Sequence, residues 1–141
     1  LELIGFVRQI ENKYLRQLAE YYFVNDEAFI KAYKQHSAAK SVHHSFAGGL
    51  LEHTLSILKF CEYLVNTYPL LSKDLLYSAA LFHDIGKTKE LSSFPENDYT
   101  DEGQLLGHIV IGVEMIGEAV RKIEGFPEKN MSIYRTEQQG I

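Results

Sequence analysis

The chain has 141 residues, 45% of them hydrophobic, and a formal net charge of −5. That length fits one domain with one buried core and is too short for two substantial ones, and no apolar stretch approaches the roughly 20 residues that a membrane-spanning helix needs. The acidic balance argues against a surface made for sequence-independent duplex binding, and confines any nucleic-acid contact to a cleft with a local patch drawn from Lys31, Lys34, Lys40, Lys87, Lys89, Arg121 and Lys122.

In chain order, Leu3, Val7, Ile10, Tyr14, Leu18 and Tyr21 recur three or four apart, with Arg8, Glu11, Lys13, Arg16 and Gln17 between them. This spacing predicts one amphipathic helix over residues 1–22. Asn25 or Asp26 can cap a second helix that carries Phe29, Ile30 and Tyr33 inward and stops near His36 and Ser37. A loop is expected to about Ser45. From Phe46 the pattern Leu50, Leu51, Thr54, Leu55, Leu58, Cys61, Leu64, Val65 predicts a long central helix that ends at Tyr68–Pro69, where proline supplies no amide hydrogen. Ser72 is suited to cap the next helix, through Leu75, Leu76, Ala79 and Ala80, and Gly86 suits the left-handed position that closes it. Residues 87–99 lack periodicity and contain Pro95, Asn97 and Asp98, which predicts a surface loop that could act as a lid. Thr100 can cap a last helix with Asp101 and Glu102 in its first turn, and Gly125 with Pro127 marks its end. Within it, Gly103, Gly107, Gly112 and Gly117 each cost roughly 1 kcal/mol relative to alanine, a cost that close approach of another backbone would offset. Residues 127–141 show no period and are expected to be a weakly ordered tail.

Four potential ligands fall on these helices: His53, His83, Asp84 and His108. His53 stands three residues after Leu50 and four before Ile57, near the inward face, and His108 lies likewise between Leu105 and Gly112. Separately buried imidazoles would each need a partner, at a desolvation cost of about 1 to 3 kcal/mol, whereas one divalent cation satisfies them together. A neutral imidazole beside a carboxylate is what such a cation needs, and Lys87 on the next turn can meet the phosphate it activates. The pattern predicts a shared metal site and phosphoester chemistry. The lone Cys61 excludes an intramolecular disulfide, reads as a core thiol, and fits a reducing cytoplasm. His36 reads as structural, and Glu114, Glu118 and Glu124 as a solvated helix face.

Three blocks then carry a resemblance: Ala39-Lys40-Ser41-Val42-His43-His44-Ser45-Phe46-Ala47-Gly48-Gly49-Leu50-Leu51-Glu52-His53-Thr54, Leu81-Phe82-His83-Asp84-Ile85-Gly86-Lys87, and Tyr99-Thr100-Asp101-Glu102-Gly103-Gln104-Leu105-Leu106-Gly107-His108-Ile109. In this order they resemble the HD-domain metal-dependent phosphohydrolases, most of all the bacterial 3′→5′ exoribonuclease branch, over residues 1–126. The resemblance implies an all-α fold, a compact HD-domain bundle of about five to six helices with residues 1–37 leading into the core. It implies His53, His83 and Asp84 as metal ligands, with Asp84 able to bridge to a second ion served by His108. Lys87 would contact a substrate phosphate, making Asp84 and Lys87 the catalytic pair, and His43 and His44 would bind substrate at the mouth of the site.

The implied cofactor is a divalent ion, with Mn, Fe, Mg, Zn and Ni not distinguished by the sequence. The implied substrate is single-stranded RNA or a phosphorylated small molecule, in a protein that can oligomerise. The start at Leu1 without methionine fits a piece of a longer protein, and in that branch an OB-fold domain precedes the HD domain. Family members place a further pair of histidines and an aspartate after the His108 helix, yet residues 109–141 contain neither His nor Asp. Three retained ligands would hold one ion weakly. The alternative is therefore a degenerate, non-catalytic HD module that binds a nucleotide or a protein partner.

Overall fold

The computed structural model describes residues 2–37, 48–90, 100–123 and 125–127. These form helices α1 (Glu2–Arg8), α2 (Lys13–Phe23), α3 (Glu27–Gln35), α4 (Gly49–Thr67), α5 (Lys73–Phe82), the single turn α6 (Lys87–Glu90) and α7 (Asp101–Lys122), with no strand among the described residues. The all-α expectation holds, and no helix among them is long and apolar enough to cross a membrane. His43, His44, residues 91–99 of the expected lid, Glu124 and the expected tail beyond residue 127 lie outside the described residues.

Local signals set most boundaries. The Asp26 carboxylate accepts the Phe29 amide at the start of α3, and the Ser72 hydroxyl accepts the Leu75 amide at the start of α5. α4 begins after Gly48, whose φ of 84° is the left-handed conformation that glycine adopts without a steric cost, and ends at Tyr68 before the proline. Gly125, also left-handed, follows α7.

Three expectations need correction. The helix predicted over 1–22 is two, broken at residues 9–12. Asn12 caps α2 by accepting the Tyr14 and Leu15 amides, and the Asp74 carboxylate of α5 accepts the amides of Glu11 and Asn12 at 2.9 and 2.8 Å. The orphan donors of the break are thus satisfied from a distant helix, which is why an unbroken apolar period does not mean an unbroken helix. Next, α5 ends at Phe82, so His83 is its C-cap and Asp84 lies in the following turn rather than in the helix. Gly86 is not left-handed. It is required because a Cβ there would meet the His108 carbonyl oxygen at 2.0 Å and the Gly112 amide nitrogen at 2.8 Å. Third, the segment after Lys87 begins as the turn α6, and α7 kinks at Gly107 (φ 76°, ψ 158°), one residue before His108.

The core is one apolar cluster to which α1 gives Leu3, Phe6 and Val7, α2 gives Leu15, Leu18 and Phe23, and α4 gives Leu50 and Leu58. Phe29 and Tyr33 of α3, Tyr77, Leu81 and Phe82 of α5 and Ile111, Met115 and Ile116 of α7 also belong to it. Burying each such side chain contributes about 1.5–3 kcal/mol. α4 packs on α5, α3 and α1, while α7 packs on α6 and α2, so the turn that joins α5 to α6 is held between α4 and α7.

Candidate functional site

That turn carries Asp84, and the side chains around it come from three separate parts of the chain. Asp84 Oδ2 lies 3.1 Å from His83 Nε2, 3.5 Å from His53 Nε2 of α4 and 3.5 Å from Lys87 Nζ of α6. Its Oδ1 lies 3.4 Å from His108 Nε2 of α7. The carboxylate is buried, and the rings of His53 and His83 sit 5.8 Å apart, tilted toward each other.

Helix geometry explains the approach of each group. His83 Nδ1 lies 2.7 Å from the Ala80 carbonyl oxygen. A carbonyl only accepts, so this nitrogen carries the proton, and in the neutral ring Nε2 presents a lone pair toward Asp84. That is the tautomer a metal ligand needs. His108 reaches the carboxylate because the Gly107 kink redirects α7 and because the absence of a side chain at Gly86 lets the α7 backbone approach the Asp84 turn.

Two neutral imidazoles cannot both face an acceptor-only carboxylate without a proton or a cation between them. Burial opposes the charged form of His83, but the hydrogen bond and charge of Asp84 outweigh it, and the ring's pKa is raised above its ordinary value. Burial likewise opposes ionisation of Asp84, and His83, Lys87 and His108 overcome it, lowering the carboxyl to about 2. The site therefore keeps a carboxylate and gathers positive charge around it.

The donor set also fits a divalent cation. One ligand atom from each of His53, His83 and Asp84 lies within 4.8 Å of the others. Two donors each about 2.1 Å from an ion stand ~3.0 Å apart at a right angle and ~3.4 Å apart at the tetrahedral angle, close to the 3.1 and 3.5 Å separations across Oδ2. Imidazole and carboxylate suit a borderline or hard ion without selecting one. His108 lies outside this group of three, on the other carboxylate oxygen.

Of the residues expected from sequence, the structure brings His53, His83, Asp84, Lys87 and His108 together. His43 and His44 lie outside the described residues. His36 is buried at the C-cap of α3, with Nδ1 2.6 Å from the Ala32 carbonyl, as a structural histidine would be. Cys61 is a core thiol whose pKa is raised by burial. Glu114 and Glu118 are exposed on α7. Sequence reasoning missed the Ala80 carbonyl that sets the His83 tautomer, although its position three residues earlier is what helix geometry puts beneath that ring. A groove of about 510 Å³ along α2, lined by Lys13, Gln17, Glu20, Tyr21, Asn25 and Ile123, the residue after α7, holds none of the cluster.

The family description "HD domain" matches residues 50–130, which include His53, His83, Asp84, Lys87 and His108. Among curated proteins, the 3′-5′ exoribonuclease YhaM of Shouchella clausii is 35% identical over 123 residues, covering 87% of this chain and 38% of that protein. That of Oceanobacillus iheyensis is 39% identical over 127 residues, 87% of this chain and 38% of its own, and that of Bacillus subtilis 34% over 119, 84% and 37%. The chain thus spans under two fifths of the length of these relatives. No solved structure gives a significant match. The family match takes in more than half of the chain, and the residues it covers include the histidine and aspartate cluster, so the chain belongs to the HD-domain family.

Proposed function

We propose that the chain is the HD core of a metal-dependent phosphohydrolase that cleaves phosphodiester bonds at RNA 3′ ends, in the cytoplasm. The observation that carries this reading is the convergence of three imidazole Nε2 atoms and one ammonium on the single carboxylate of Asp84, at 3.1 to 3.5 Å. The substrate class rests on the similarity to proteins named 3′-5′ exoribonuclease. Those names belong to enzymes, which disfavours the non-catalytic binding module.

In this reading His53, His83 and Asp84 would hold a divalent ion, which when bound would lower the pKa of water and neutralise phosphoryl charge. His83 is oriented by Ala80 so that its lone pair faces the site. The second oxygen of Asp84, 3.4 Å from His108 Nε2, would offer a ligand to another cation together with His108. Lys87, with its ammonium 3.5 Å from Asp84, is placed to take up negative charge on a non-bridging phosphate oxygen. His43 and His44 are assigned to substrate binding on the family resemblance of their sequence block.

The test is a Mn²⁺-supplemented assay on single-stranded RNA with a free 3′ hydroxyl and on bis(p-nitrophenyl) phosphate, beside metal analysis of the purified protein and its His53→Ala and Asp84→Ala variants. Metal-dependent shortening from the 3′ end, lost in both variants, is expected. Metal uptake without turnover on either substrate overturns hydrolysis in favour of the binding module, and absence of metal uptake overturns the site.

A further inference from the structure

On the buried side of α4, one residue from His53, two hydroxyls meet. Tyr33 of α3 donates to Thr54 Oγ1 at 2.5 Å, and the two residues are 3% and 0% exposed. Thr54 is the residue after His53. The Tyr33 ring is fixed in turn: it lies edge-on to Phe23 at 5.2 Å and stacks on Phe29 at 5.5 Å. Phe23 also packs on Phe82 at 6.3 Å, and Phe82 is the residue before His83. One aromatic cluster therefore ends, on two sides, one residue away from each of the two histidines that share Asp84 Oδ2.

We infer that Tyr33 and Thr54 are a positioning pair for His53, a directional contact that fixes the rotation of α4 and with it the separation of His53 Nε2 from Asp84. The inference rests on the metal reading above. Apolar packing is non-directional and leaves a helix free to turn slightly about its axis, while a hydrogen bond weakens steeply away from its preferred angle. An atom about 6 Å from the helix axis sweeps ~1 Å for a turn of about 10°, and metal ligation tolerates only about 0.2 Å. A phenylalanine and valine pair would fill the same space with no hydroxyl to desolvate. The hydroxyl pair adds an angular preference that the apolar pair lacks.

The experiment compares Mn²⁺ affinity, read by the electron paramagnetic resonance signal of free Mn²⁺, with the unfolding midpoint of the metal-free protein. Tyr33→Phe and Thr54→Val are the test variants, Thr54→Ser keeps the hydroxyl, and Leu58→Ala is a control at a fully buried α4 position one turn further on. Tyr33→Phe and Thr54→Val are expected to weaken Mn²⁺ binding about tenfold, in the range of outer-shell partners. Thr54→Ser is expected to stay within about twofold of wild type. Leu58→Ala is expected to lower the unfolding midpoint most while leaving affinity within about twofold. Unchanged affinity in Tyr33→Phe and Thr54→Val, or an equal loss in Leu58→Ala, overturns the positioning role while wild-type binding keeps the metal reading standing. A wild-type protein that takes up no Mn²⁺ removes the metal reading, and this inference with it.

Discussion

His83 and Asp84 are neighbours in the chain and also in the site: the ring Nε2 stands 3.1 Å from the carboxylate Oδ2 of the next residue, while the opposite ring nitrogen donates to Ala80. His83 is the C-cap of α5 with helical backbone angles (φ −61°, ψ −28°), and Asp84 lies in the turn that follows.

Because three histidines and Lys87 depend on one carboxylate, Asp84→Asn is expected to lower metal affinity by more than the roughly 10–100-fold typical of an outer-shell partner. Asparagine keeps the volume and removes the charge. Calorimetric titration with Mn²⁺ checks it, and a variant that binds within about threefold of wild type contradicts the placement of Asp84 at the centre of the site.

The pKa shifts set opposite pH trends for the metal-free and metal-loaded protein. The raised pKa of His83 contributes stability that is complete below its unfolded value of 6.5 and is lost as pH rises through the folded value. The lowered pKa of Asp84 contributes stability that is complete above 3.8 and is lost as pH falls toward about 2. Between these limits the metal-free pair stabilises most. A metal must displace the His83 proton, so its affinity rises with pH until the ring is neutral. Melting curves at pH 6 and pH 8, with and without Mn²⁺, are expected to show a Mn²⁺-induced increase in Tm that is larger at pH 8.

Gly86 and Gly5 make a controlled pair. Alanine at Gly86 drives its Cβ into backbone atoms of His108 and Gly112, which only a displacement of α7 relieves. A loss of about 3 kcal/mol or more is expected, together with weakened metal binding as His108 moves away from Asp84. Alanine at Gly5 meets nothing within 4 Å on α1 and is expected to be neutral or to stabilise by up to about 1 kcal/mol. Urea unfolding of both variants separates the outcomes.

What was legible in the sequence was local. Asp26, Ser72 and the Pro69 stop announce helix ends through bonds made within a few residues, and the apolar period of α4 and α7 puts His53 and His108 on inward faces. The ligand set was legible because each of its residue types is costly to bury alone. What was not legible depends on distant partners. Gly86 reads as a helix terminator until His108 and Gly112 are placed against it, and Gly107 reads as one of four packing glycines, although it alone carries the kink that aims His108. The Tyr33 hydroxyl gives no local sign that it will meet Thr54, 21 residues on.

The break between α1 and α2 is the clearest case of a long-range decision, and it yields a prediction confined to stability. The apolar spacing runs unbroken through residues 7–14, so the α1 side of the break has no local reason to stop. Asp74 supplies one by accepting the amides of Glu11 and Asn12, and Lys73 adds an ion pair to Glu11 at 3.1 Å. The ion pair is exposed on the Glu11 side and contributes under about 1 kcal/mol, whereas two amides bonded to a carboxylate are worth about 1.5–3 kcal/mol each before solvent competition. Asp74→Ala is therefore expected to destabilise the protein by about 2 kcal/mol and Lys73→Ala by less than about 0.5 kcal/mol. Neither residue touches the Asp84 cluster, so Mn²⁺ affinity is expected to stay within about twofold of wild type in both variants. Equal destabilisation by the two changes would show that charge pairing, rather than satisfaction of the orphan amides, holds the break.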